Sequence, residues 1–154
     1  KASCFNYLFK LYLYVSGLRV QRLKRRALRF LADAKGDFSE GYYDTSAFHV
    51  EQALQLYTKA VIFELFGKEY EGHGIRELLS YLAKLLKENG YDELAVKVNE
   101  MVREYRDKFV AIEDAYIDSR YEDIEYDESV KELIDFAERV INFLEEVVKA
   151  VKLG

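Results

Sequence analysis

The chain has 154 residues, half of them hydrophobic, with no proline, one cysteine and a net charge of −5. That is one domain's worth, large enough for a core without disulfide or metal support, and the lack of proline favours an all-α fold. The lone Cys4 excludes an internal disulfide and fits a reducing, cytoplasmic setting, and no apolar run reaches the ~18 residues of a membrane span.

Residues 1–17 are aromatic and apolar, with Lys10 interrupting the run and no small-residue cleavage site after it, so they do not read as a signal peptide. Phe5, Leu8, Phe9 and Tyr12 fit helical spacing, while Phe5, Tyr7, Phe9, Leu11 and Leu13 fit strand alternation equally well. We read this stretch as an extension that packs on the rest of the chain or on a neighbour. Residues 18–154 form the domain proper.

Charge is unevenly spread. Residues 1–35 carry nine Lys/Arg against one acid, whereas the remainder carries fourteen against twenty-seven. Arg19, Arg22, Lys24, Arg25, Arg26 and Arg29 concentrate the basic part, which reads as a solvated helix face before it reads as a polyanion site.

A first helix is predicted over Leu18–Ser39, with Val20, Leu23, Ala27, Phe30, Leu31, Ala34 and Phe38 as its apolar stripe and Gly41 as its stop. A second helix, capped by Asp44 or Thr45 and closed by Gly67, is apolar over most of its circumference. Ala47, Val50, Leu54, Tyr57 and Val61 form one stripe and Ala53, Leu56, Ala60 and Phe63 widen it, leaving Glu51, Gln55, Thr58 and Lys59 as a narrow polar face. So wide an apolar arc must be covered from several sides, which makes this the central helix. Its short connection to the first makes the two antiparallel neighbours.

A third helix over Ile75–Glu88 buries Leu78, Leu79, Leu82, Leu85 and Leu86 and ends at Asn89-Gly90. Asp92 caps a long fourth helix to about Asp118, with Val98, Tyr105, Phe109, Ile112 and Tyr116 inward. Residues 120–126 read as an irregular acidic linker, and a fifth helix after Asp127 repeats apolar residues from Val130 to Val151. The predicted architecture is an up-and-down bundle of about five helices, a four-helix core with one more alongside.

Few constellations carry chemistry. The chain has two histidines, His49 on the margin of the central helix's buried face and His73 in a Gly-His-Gly loop, and each reads first as a structural residue. Asp123, Glu125 and Asp127 have the one-three-five spacing of a calcium loop, but Glu128 stands where glycine is required and Ile134 where the final glutamate belongs. No zinc set exists either, so neither metal nor cofactor is expected.

Three segments together resemble a known family. AFHVEQALQLYTKA (47–60), Gly72-His73-Gly74-Ile75 leading into Leu78-Leu79, and Asp118-Ser119-Arg120-Tyr121-Glu122-Asp123 before the last amphipathic helix look like the HEPN domain (higher eukaryotes and prokaryotes nucleotide-binding), from about Leu18 to the end. The resemblance implies a helical bundle and, from the family name, nucleotide binding. It also implies a partner, since small HEPN proteins often pair with a separate minimal nucleotidyltransferase, as in toxin–antitoxin modules. Catalytic members cut RNA with an Arg followed by His after four to six residues. Here the positions in question before His49 hold Asp44, Tyr43 and Tyr42, those before His73 hold Lys68, Gly67 and Phe66, and those after Arg120 hold Glu125, Tyr126 and Asp127.

The motif is absent, so the sequence predicts a non-catalytic binding module without RNA or membrane as partners. Its alternatives are a ribonuclease with an unconventional site, formed by Arg120, Lys68 and His49, or a pure association scaffold. The candidate ligand groove joins His49, Gln52, Lys68, Arg120 and Tyr121: arginine for phosphate, tyrosine for stacking on a base. Long apolar stripes, thirteen tyrosines and the aromatic N-terminus predict a homodimer.

Overall fold

A computed structural model describes residues 2–121 and 125–154, with side chains described for 3–117 and 125–154. Six helices account for it: α1 (Ala2–Ser39), α2 (Tyr43–Phe66), α3 (Ile75–Glu88), α4 (Asp92–Glu104), α5 (Arg106–Tyr121) and α6 (Val130–Leu153). No strand occurs among the described residues.

The central helix is the one that its apolar arc implied. α2 packs against α1, α3, α5 and α6, with Val50, Ala53, Leu54, Ala60 and Val61 fully covered. Cross-helix pairs fix the directions. Ser46 Oγ donates to the Ala34 carbonyl at 2.7 Å while Lys24 meets Glu64, so α1 and α2 are antiparallel. Tyr57 bonds Glu145 and Glu64 bonds Lys152, so α6 runs parallel to α2. Phe48 stacks on Tyr116 at 6.1 Å, and one turn further along α2 Glu51 shares a cavity with Glu113, as expected for an antiparallel α5. α1, α2, α5 and α6 are thus an up-and-down four-helix core. α3 and α4 form a hairpin against it, their faces set by Leu78, Leu79, Leu82, Leu86, Ala95 and Val98.

Three readings of the sequence need revision. The fourth helix is broken at Tyr105 (φ −106°, ψ 28°), making six helices. Nothing in Arg103-Glu104-Tyr105-Arg106 is a helix breaker, and the apolar spacing runs straight through. The break is tertiary in origin: the Tyr105 ring packs on Phe136 at 5.3 Å, so that α4 follows α3 while α5 turns onto α2. Secondly, α1 starts at Ala2, so residues 2–17 are helical and continuous with the domain. They do not pack on their own bundle: Phe5 is 71% exposed and Tyr12 61%. Thirdly, the polar face of α2 is narrower than its residue types imply. Thr58 is buried with its hydroxyl donating to the Leu54 carbonyl at 2.7 Å, and Glu51 is only 2% exposed.

The caps divide in the same way. Gly67 ends α2 in the left-handed region (φ 63°), where its N–H reaches the Phe63 carbonyl. Tyr42 and Tyr91 rather than Asp44 and Asp92 occupy the N-cap positions, although Asp44 Oδ1 accepts from the Thr45 backbone N–H at 2.8 Å within the first turn of α2.

Candidate functional site

His49 sits nearly two turns into α2, and its Nδ1 lies 2.6 Å from Oδ2 of Asp37 on α1, with the imidazole stacked on Phe30 at 6.0 Å. The carboxylate fixes one ring nitrogen and the phenyl ring one face, so this histidine ties the α1–α2 hairpin together. Gln52 turns away from it. Its amide donates to Glu51 Oε2 at 2.7 Å, while Gln55 donates to Oε1 at the same distance.

Glu51 is thus a buried carboxyl on a helix face, held by two side-chain amides from its own helix. Burial pushes its pKa up; the Gln55 and Gln52 amides oppose that, and Glu113 across the α2–α5 interface adds to the rise. Glu113 itself accepts from the Arg76 backbone N–H at 2.8 Å and from its guanidinium at 2.9–3.2 Å, which anchors the start of α3 to α5.

The loop 67–74 lies beside these groups. Tyr70 stacks on Tyr81 at 4.9 Å, and the chain passes so near the Tyr70 ring that a Cβ at Gly72 would stand 2.3 Å from Cε1. A side chain at that position would force the Tyr70 ring to move. Three adjoining hollows surround this loop, and Tyr70, His73, Gly74 and Glu113 each line two of them. One, of about 430 Å³, is lined by Arg19, Lys59 and His73, by the acids Glu69 and Glu71, and by Leu23, Leu56, Phe63 and Tyr70. The Arg19 guanidinium lies 4.4 Å from the Phe63 ring centroid and pairs with Glu69. With Arg19 already paired to Glu69 and with Glu71 also on the wall, the Lys59 ammonium and the His73 imidazole beside the Phe63 and Tyr70 rings are the groups left to meet a phosphate-bearing ligand that also carries a flat ring.

The residues singled out from sequence are scattered relative to this hollow. His49 and Gln52 lie near the start of α2, whereas Lys68 is exposed in the loop beyond its end, roughly 25 Å away at ~1.5 Å per residue. Arg120 and Tyr121 fall in the last turn of α5, and their side chains lie outside the described residues. Sequence reasoning missed Lys59 and Tyr70 and took Arg19 only as one of the basic cluster of α1; the three belong to different elements. It also read Glu51 as surface, although its two glutamine neighbours on a mostly buried helix were an available signal. The basic cluster of α1 is partly structural: Lys24 bridges Glu64 at 2.7 Å and Glu145 at 2.5 Å, and Arg29 pairs with Asp33.

Among the described residues no group of three or more His, Cys, Asp or Glu is placed to hold a metal ion, and no helix is long and apolar enough to cross a membrane. Residues 20–147 match the HEPN domain family. Comparisons with curated proteins and with solved structures give no match.

Proposed function

Since this chain belongs to the HEPN domain family, we propose that it is a non-catalytic member: a dimeric binding module that takes a nucleotide and acts beside a separate minimal nucleotidyltransferase. The observation that carries the non-catalytic reading is one of spacing: neither histidine has an arginine at the family's ribonuclease distance. General acid–base cleavage of RNA needs an imidazole next to a cation that steadies the phosphate.

The nucleotide reading is supported by the Arg19–Lys59–His73 hollow with its aromatic walls. Calorimetric titration with ATP, GTP and their monophosphates tests it, on wild type, Lys59→Ala and Arg120→Ala. Binding lost in Lys59→Ala locates the ligand in the hollow, and binding lost only in Arg120→Ala locates it at the end of α5. No heat for any nucleotide at millimolar ligand contradicts the reading.

A ribonuclease remains the second reading for one reason: His73 and Arg19 line the same hollow. It predicts RNA cleavage abolished by His73→Ala. Self-association is supported by the uncovered aromatic start of α1. The partner transferase rests on family membership and is tested by co-purification with the product of a neighbouring short transferase gene.

A further inference from the structure

From Val20 onward α1 turns one side to the bundle: Val20, Ala27, Leu31 and Ala34 are buried, chiefly against α2. At about 100° per residue, Arg22, Arg25, Arg26 and Arg29 fall together on the opposite side, and all four are exposed. Arg29 pairs with Asp33, the one acid of residues 1–35. Arg22, Arg25 and Arg26 have no acidic partner among the described residues. Followed back through the preceding turns, the same helical line carries Tyr7, Leu8, Leu11 and Val15, each 45–68% exposed. The outer side of one helix is therefore apolar first and cationic after, with the bundle behind it.

We infer that this side of α1 lies along an anionic lipid surface. The arm is apolar all round, since Phe5, Phe9 and Tyr12 are exposed on its other flank. A fluid apolar medium closes round such a helix, whereas a protein groove covers one face of it. Sunk by most of its ~10 Å width, the arm puts its rings at the boundary of acyl chains and headgroups. The three free arginines of the next turns then come level with the lipid phosphates. Asn6 and Lys10 lie more than about 100° round from the arginine line and reach the headgroups from the side. The bundle stands on the water side, and its excess of acids (fourteen Lys/Arg against twenty-seven Asp/Glu in residues 36–154) is held away from the anionic surface. Charge decides the occupant. A second arm can cover these rings in solution, but residues 2–17 hold no acid to offer the arginines. A nucleic acid would take the arginines and leave the rings in water. An anionic lipid surface meets both, and lying along it requires no membrane span.

Flotation of the full chain with mixed phosphatidylglycerol–phosphatidylcholine vesicles, against vesicles of phosphatidylcholine alone, tests this. Binding to the anionic vesicles is expected, and it should weaken about fivefold per charge removed, on the order of a hundredfold in Arg22→Ala/Arg25→Ala/Arg26→Ala. About 0.5 M salt should weaken it in the same direction. Leu11→Asp should abolish binding, while the control Val96→Asp, an exposed apolar position on α4, should bind as wild type does. None of these side chains belongs to the buried core, so the melting temperatures should not move. A wild-type chain that stays off anionic vesicles at millimolar lipid overturns the proposal, and twice the chain mass by light scattering would then assign the arm to a second copy. Equal binding to both kinds of vesicle overturns it too, by removing the arginines from the contact. So does binding of an RNA oligonucleotide that the triple arginine variant loses and Leu11→Asp keeps, without vesicle binding: the arginine line would then belong to nucleic acid.

Discussion

His49 on α2 and Asp37 on α1 face each other across the first turn of the helical hairpin, with Nδ1 and Oδ2 2.6 Å apart. Both side chains are about three-quarters covered, so losing one leaves a partly desolvated group without its partner. His49→Ala is expected to lower stability by about 1–2 kcal/mol, and Asp37→Ala by a similar amount. Urea unfolding of each single variant and of the double variant measures the coupling. Fully additive effects would mean that the pair contributes nothing as a pair.

A second cross-helix group joins three elements. Lys24 of α1 bridges Glu64 of α2 and Glu145 of α6, and Tyr57 also donates to Glu145. Burial alone would lower the Lys24 pKa, but hydrogen bonds to Glu145 and Glu64 outweigh it and hold the ammonium above its usual range. Burial likewise pushes Glu145 up, while Lys24 and Tyr57 outweigh it and hold the carboxylate below its usual range. A depressed carboxylate stabilises the fold above its unfolded pKa and loses that stabilisation as pH falls through the folded value. Lys24→Ala should therefore cost about 2 kcal/mol at pH 7 and less near pH 3. Thermal melts of variant and wild type at the two pH values check this, and an equal loss at both would contradict it.

Glu51 has the opposite sign. Its raised pKa means that the fold prefers the protonated carboxyl, so stability is fully present below the unfolded pKa and declines as pH rises through the folded one. Glu51→Gln cannot ionise and should gain on wild type as pH rises above the range in which an unfolded glutamate ionises. It keeps one acceptor for the Gln52 and Gln55 amides and loses the other, which costs about 1 kcal/mol at any pH. The sign of the pH trend is the test, and a difference between the two proteins that does not move with pH would remove Glu51 as its source.

Glycine makes two separable predictions. At Gly67 a Cβ meets nothing within 4 Å, so Gly67→Ala carries only the conformational cost of φ 63°, about 1 kcal/mol. At Gly72 the backbone is unstrained but a Cβ would strike the Tyr70 ring, so Gly72→Ala must displace Tyr70 from Tyr81 and open the hollow beside His73. Any nucleotide binding in the hollow should weaken in Gly72→Ala and persist in Gly67→Ala, as read by calorimetry.

The bundle was legible because its information is local. Three- and four-residue apolar spacing in Val20–Phe38, Ala47–Phe63 and Val130–Val151 states which faces meet. The break at Tyr105 was not, since what turns the chain there is Phe136 on another helix. The hollow was illegible for the same reason: Arg19, Lys59 and His73 are far apart in sequence and meet only because α1 and α2 are antiparallel and the loop folds back beside them. Length of α1 was ambiguous from alternation alone, because an aromatic run such as Phe5–Tyr14 satisfies both helical and strand periods.

The central claim, a HEPN domain without ribonuclease chemistry, is tested most directly by incubating the purified chain with end-labelled single-stranded and structured RNA. The account predicts that both substrates remain intact over hours at micromolar protein. Cleavage by wild type that disappears in a folded His73→Ala or His49→Ala variant would contradict it.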